Sequence, residues 1–235
     1  MDLDLLLSEL KKNKDPGTGL GIASQAVNGI NELVVDAGRG KFPWSRIPGK
    51  GTKGELWYRN RLYWLKTIPL DGDGCFIALH SESPVYQKNK KGRWPADLFG
   101  LFHERQTTML CVIELKAGTA GDNVLYAIVE GARNLHLLRQ AHPALVKSWV
   151  AAGKADRNAW GKGNPLAEVS KKRTKLIILG DWAWIKAQGK WKGAAKTLRG
   201  LLANSLKQDL SIHCLNKNAK PASKPHALLP VWRRL

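Results

Sequence analysis

The sequence predicts an α/β domain in which a mixed central β-sheet is flanked by helices. Three observations lead there. Apolar residues recur at spacings of three and four early in the chain, the middle switches to short apolar runs joined by polar turns, and helical spacing then returns on either side of Lys175–Gly180. That last run, KLIILG, has no polar face, as expected of a strand covered on both sides.

Taken in order, residues 1–12 place Leu3, Leu6, Leu7 and Leu10 at helical spacing. A Gly-rich turn is expected at 15–21. A second helix then carries Ile22, Ala26, Val27, Ile30, Leu33 and Val34, ending near Gly38 and Gly40. Residues 41–54 are rich in Pro and Gly and read as a loop. Glu55–Lys66 is an aromatic helix with an acidic residue at its start. Cys75–His80 reads as a strand, 87–93 as a basic loop, and Asp97–His103 with Thr107–Lys116 as a hairpin around a turn at 104–106. Asp122 is placed to cap a helix whose apolar side is Leu125, Ile128, Ala132, Leu135 and Leu138. After the strand at 175–180 come a helix near 191–206 and a last strand at 211–216. This divides the chain into an extension (1–54), a core (55–216) and a basic tail (217–235), the tail expected to be loose.

Composition narrows the partner. A hydrophobic fraction of 43% with 24% charged residues is ordinary for a packed domain. The charge is not ordinary: 38 Lys and Arg against 19 Asp and Glu give a formal +19, which favours a polyanionic partner, and nucleic acid, an anionic membrane surface and acidic ribosomal surroundings all satisfy it. A spanning helix needs about 18 or more apolar residues in a row, and no such run occurs, so no membrane partner is expected. The first residues carry acids where a secretory leader is basic, and the three cysteines are far apart with no CxxC pair. Both features fit a cytoplasmic protein with reduced thiols.

The chemistry concentrates in RWPADLFGLFHERQTTMLCVIELKAG. Asp97 opens one strand of the expected hairpin and Glu114 lies near the end of the other. Glu114 and Lys116, two apart on a strand, point to the same face, while Leu115 turns into the core. Charges at the rim of an apolar strand are costly unless they pair or bind a cation. Carboxylate oxygens suit Mg²⁺, which takes one or two of them with waters and substrate phosphate. A lysine beside the metal can orient water or offset charge as the phosphate becomes five-coordinate. A salt bridge between strand neighbours is the simpler account of Glu114 and Lys116, and a turn residue the simpler account of Asp97. An acid-x-Lys triplet alone is a weak signal, since Glu9-Leu10-Lys11 is a second copy in a helix.

With sixteen residues between Asp97 and Glu114, PADL followed by ELK resembles the motif of the PD-(D/E)XK nuclease superfamily. The helix, three strands, helix, strand order over about residues 55–180 is similar to that family's restriction-endonuclease-like core. The resemblance implies that Asp97 and Glu114 bind Mg²⁺ (Mn²⁺ substituting), with the Leu115 carbonyl as a further ligand. It implies that Lys116 positions or activates water, and that Glu55 supplies the extra acid of the first core helix. It also implies cleavage of DNA rather than RNA, leaving 5′-phosphates. Ala96 separates Pro95 from Asp97, a departure from a contiguous pair.

Lys88, Lys90, Lys91 and Arg93 crowd the loop before Asp97, and Lys171, Lys172 and Arg173 form a second basic group; both are candidates to hold nucleic acid. A homodimer on duplex DNA is compatible with this reading, though no residue demands it. Two alternatives remain: a basic nucleic-acid-binding module without catalysis, and membrane-surface binding through 186–206. Tyr126 and Glu130, four apart on the following helix, could reach the site or could be a packing tyrosine and a solvated acid.

Overall fold

The computed structural model describes residues 2–36, 54–65, 67–70, 74–88, 93–118, 122–151, 166–167, 169–170, 172–214 and 233–234. The expected loop at 41–53, Lys90, Lys91 and Lys171, and all of the tail except Arg233 and Arg234 lie outside the described residues.

The architecture is mixed α/β, as expected. Helices α1 (Leu3–Lys12), α2 (Pro16–Ile30) and α3 (Gly54–Leu65) precede strands β1 (Thr67–Leu70), β2 (Gly74–Tyr86), β3 (Arg93–Glu104) and β4 (Thr107–Lys116). Next come α4 (Val124–Gln140), α5 (His142–Ala151), β5 (Thr174–Gly180) and α6 (Trp182–Ala187). A 3₁₀ turn at Gly189–Trp191 leads into α7 (Lys192–Ser205), β6 (Gln208–Cys214) and the two-residue β7 (Arg233–Arg234).

The strands lie in sequence order from β1 to β7. Strands β1 to β4 form an antiparallel meander, and β4–β5–β6 are parallel. Parallel neighbours need a crossover, and α4 and α7 supply the helices of the two crossovers. One face of the sheet packs Leu110, Val112, Leu176, Ile178 and Leu210 under α4 and α7, and α1 and α2 pack in turn on those helices. The other packs Cys111, Ile113, Leu115, Ile177 and Leu179 with Leu62 and Tyr63 of α3. Burial on both faces explains why β5 lacks any polar alternation.

Several elements differ from the sequence expectation for identifiable reasons. The Gly-rich stretch at 15–21 is helical: Asp15 accepts a 2.7 Å bond from the Thr18 N–H and Pro16 occupies the first turn, so a cap outweighs the glycines. Gly19 is there for contact, since a Cβ would stand 2.8 Å from the Trp191 ring where α2 meets the α7 end. Helix α2 then ends at Ile30, short of Val34. Asn123, not Asp122, caps α4 through Tyr126 N–H at 2.9 Å, and Asp122 instead pairs with Lys11 at 3.1 Å. Strand β3 begins at Arg93, so Asp97 lies inside the strand rather than opening it. There Pro84 faces Pro95 in a two-stranded ribbon: β1 reaches β2 only up to Ile77, and β4 reaches β3 only from Leu98. Among the described residues no third strand reaches either proline, so neither costs a ladder bond there, while Val34–Asp36 joins the outer side of Tyr86–Lys88. Among the described residues no helix is long and apolar enough to cross a membrane.

Candidate active site

The antiparallel register of β3 and β4 pairs Leu98 with Ile113, which brings Asp97 level with Glu114. The two acids that stand sixteen residues apart in sequence are thus strand neighbours. Asp97 Oδ2 accepts the Leu115 N–H at 2.9 Å, and Arg59 Nη1 of α3 lies 3.5 Å from Oδ1. Glu114 and Lys116 point from β4 toward α4, with side chains 2% and 7% exposed. Helix α4 can lie this close because residue 131 is glycine: a Cβ there would meet Glu114 Cγ at 2.7 Å and Leu176 Cδ1 at 2.6 Å.

Helix α4 answers both charges. Asn134 Nδ2 donates to Glu114 Oε1 at 2.9 Å. Lys116 Nζ pairs with Glu130 Oε2 at 3.1 Å, and the Tyr126 hydroxyl donates to Glu130 Oε1 at 3.1 Å. Lys116 Nζ also stands 5.9 Å from the Tyr126 ring centre, with Lys11 Nζ 5.2 Å from the same ring. Beyond β4, Glu55 Oε1 accepts the Ala117 N–H at 3.2 Å and Asp181 Oδ2 accepts the Gly118 N–H at 2.7 Å. Asp181 also caps α6 through Trp184 N–H, so one carboxylate ties the ends of β4 and β5 together.

The charges are interdependent. Burial raises the Glu114 carboxyl well above its ordinary range, and the neighbouring Asp97 and Glu130 charges push it further. Burial also raises Asp97, opposed by Lys116, the Leu115 N–H and Arg59. Glu55 is raised by burial as well, against the pull of Lys116. For Lys116 burial works against the charged form, yet Glu130, Glu114, Asp97 and Glu55 together hold it above an ordinary lysine. It is a fixed cation at neutral pH rather than a base.

Ionised in full, Asp97, Glu114, Glu55 and Glu130 outnumber Lys116 and Arg59 by four to two, an excess of two negative charges inside a protein of net +19. Among the described residues no three His, Cys, Asp or Glu side chains are gathered to enclose a metal by themselves. The donor set is the Asp97–Glu114 pair, and its chemistry fits Mg²⁺: hard oxygens, and two carboxylates whose raised pKa values a cation would relieve.

The structure brings Asp97, Glu114, Leu115, Lys116 and Glu55 into one neighbourhood. It does not bring Lys172 and Arg173 there. Ile178 is the β5 residue level with Glu114, so Arg173 lies five residues away along the strand direction, about 17 Å. Arg173 is instead paired with Asp209 at 2.6 Å, and Lys172 is exposed. Lys88 is exposed at the end of the β2–β3 ribbon, and Arg93 opens β3 about 13 Å along the strand from Asp97.

Tyr126 and Glu130 reach the site, one of the two readings open to them, whereas Asn134, Arg59, Asp181 and Lys11 belong to the neighbourhood without having been singled out for it. For Asn134 a signal was present on α4: Tyr126, Glu130 and Asn134 are four apart and form one polar row along the helix. No family model, curated protein or solved structure matches this chain.

Proposed function

We propose that the protein is a metal-dependent nuclease that hydrolyses phosphodiester bonds, with DNA favoured over RNA, on a restriction-endonuclease-like core. The observation that carries this reading is the placing of Asp97 beside Glu114, one step past the last β3–β4 pair Leu98–Ile113, with Lys116 on the same face as Glu114. The meander β2–β3–β4, the crossover helix α4 and the parallel strand β5 support it, because with α3 they contain the expected αβββαβ order, although β1 and α5 are inserted into it. So does the excess of acid at this point of a basic molecule, which suits a cation on the protein side and a polyanion on the other.

Asp97, Glu114 and the Leu115 carbonyl would hold Mg²⁺, or Mn²⁺ in its place, which supplies charge to the phosphate and activates water for in-line attack. The chain's own residues do the rest. Lys116, held protonated, places a positive charge beside the reacting phosphate and offsets the charge that develops there. Glu130 and Tyr126 fix where that ammonium sits. Asn134 orients Glu114, Arg59 and the Leu115 N–H orient Asp97, and Glu55 braces the Ala117 backbone just past Lys116. Lys88 and Arg93 on the ribbon are suited to grip phosphates flanking the cut.

A non-catalytic nucleic-acid-binding module has one observation in its favour: both Asp97 oxygens already have protein partners. The two readings separate in a cleavage assay on circular DNA, linear DNA and RNA with Mg²⁺, Mn²⁺ or EDTA, comparing the native chain with Glu114→Gln. The nuclease reading expects metal-dependent cutting that the variant loses while it still binds. Tight, salt-sensitive binding with no cutting under any metal would leave the binding module.

A further inference from the structure

The rim that carries Asp181 and Glu55 also carries apolar and aromatic side chains that the acidic site does not use. Asp181, one step past β5, donates its N–H to the Lys116 carbonyl at 3.0 Å. Trp182 follows it and is 49% exposed, one of four large apolar side chains that stand in solvent among the described residues. Of the others, Leu56 adjoins the same rim, because its neighbour Glu55 holds the Ala117 N–H. Tyr58, partly buried, shares a side of α3 with Glu55 and with Arg59, which reaches Asp97. Burial, and then the Asp181 charge, hold the Tyr58 hydroxyl above the ordinary tyrosine range, so a second ring stands near Asp181.

A single exposed apolar side chain means little. Trp182 differs in being fixed, in its position and in its company. Asp181 Oδ1 accepts the Trp184 N–H at 2.8 Å, and Trp184 Nε1 donates to the Asp122 carbonyl at 3.1 Å. The Trp184 ring is fully buried over Gly180, where a Cβ would stand 2.5 Å from it. One tryptophan thus anchors α6 and the other is presented to solvent. Trp182 lies two residues past Gly180, the partner of Lys116, and four past Ile178, the partner of Glu114. That is about 13 Å from Glu114 along the strand direction, the length of about four stacked nucleotides. Lys186, four residues further on, is exposed on the same side of α6.

We propose that Trp182 is a platform on which an unpaired base of the substrate stacks, a few nucleotides from the phosphate held at Asp97 and Glu114, so that the strand is single there. The inference rests on the nuclease reading and extends it to the form of the substrate. Inside a duplex each base is covered on both faces by its neighbours, and a ring on the protein surface finds no face to cover. An unpaired base offers one whatever its identity. With a base on Trp182, the adjoining phosphate lies within reach of Lys186. A polyanion suits the net charge of +19, and a ring beside an ammonium matches a base with its phosphate better than an apolar segment of protein.

The probe is a fluorescein-labelled DNA oligonucleotide, single-stranded or annealed to its complement, titrated into the full chain in EDTA at physiological salt so that no cutting intervenes. Trp182→Ala should weaken single-strand binding by at least about tenfold and duplex binding by less than about twofold. Trp182→Phe should keep most of the affinity, and Lys186→Ala should lower the salt slope of single-strand binding by about one. Equal loss on both probes, or no loss on the single strand, overturns the proposal. Failure here is distinct from failure of the nuclease reading. A Trp182-dependent preference for single strands in a chain that cuts under no metal keeps the platform and removes the nuclease. Cutting that needs Glu114 but is indifferent to Trp182 does the reverse.

Discussion

The chain contains the triplet Glu-Leu-Lys twice, at 9–11 in α1 and at 114–116 in β4, and the two copies lead opposite lives. On the helix, residues two apart diverge, so Glu9 and Lys11 are both exposed and only Leu10, fully buried, ties the triplet to the core. On the strand, residues two apart converge, so Glu114 and Lys116 share one buried face and Leu115 packs on the other. Identical side chains give a solvated surface in one setting and a coupled charge cluster in the other. What decides is the period of the backbone beneath them.

That contrast can be broken or sharpened by experiment. The largest effect is expected for Glu114→Gln, which keeps an acceptor for Asn134 but removes a charge: cleavage should fall by more than about 100-fold, whereas Glu9→Gln should leave it unchanged. Comparable loss in both variants would defeat the assignment. Lys116→Ala should lower turnover by about 10²–10³-fold without a matching change in binding. Lys11→Ala, which touches Tyr126 and Asp122 from the rim, should alter chiefly the salt dependence of binding. Glu130→Gln should cost about 10–100-fold in turnover by loosening Lys116, and full activity would reduce the α4 polar row to packing.

Stability offers a smaller and independent reading. Glu114 holds its proton more tightly folded than unfolded, because burial and neighbouring acids raise it. The folded state therefore binds more protons in the window from the ordinary carboxylate range up to the raised value. Stability of the metal-free protein is highest below that window and falls as pH rises through it. Calorimetry in EDTA should show Glu114→Gln melting higher than the native chain at pH 8 and depending less on pH, and a variant that melts lower would contradict the charge account. In α1 the roles reverse. Leu10→Ala should cost about 2–5 kcal/mol, while changes at Glu9 should stay within about 0.5 kcal/mol.

How much of this the sequence disclosed depends on range. The runs Thr107–Lys116 and Lys175–Gly180 announced β4 and β5 because burial on both faces leaves no other pattern. The Asp97–Glu114 pairing was readable because a hairpin places its partners by counting from the turn. Tyr126 and Glu130 could be placed only as residues able to reach the site, and Asn134 not at all, since which face of α4 meets β4 is set by Gly131 and by contacts over a dozen residues away. The ribbon at 81–86 and 93–96 was hidden because its prolines and charges look like a loop, and only the lack, among the described residues, of a third strand beside the prolines makes them acceptable. The start of α2 was hidden by glycines whose role is to admit Trp191.

The division of the sheet into an antiparallel meander and a parallel half has a kinetic consequence. Asp97 and Glu114 meet through a hairpin, a local event that closes on the scale of microseconds, whereas α4 must lie down and β5 must arrive from beyond α5 before Asn134 and Glu130 take their places. The like charges are therefore brought together before the groups that moderate them. Under the nuclease reading, divalent cation present during refolding should quicken the step that follows the hairpin, compared with refolding in EDTA.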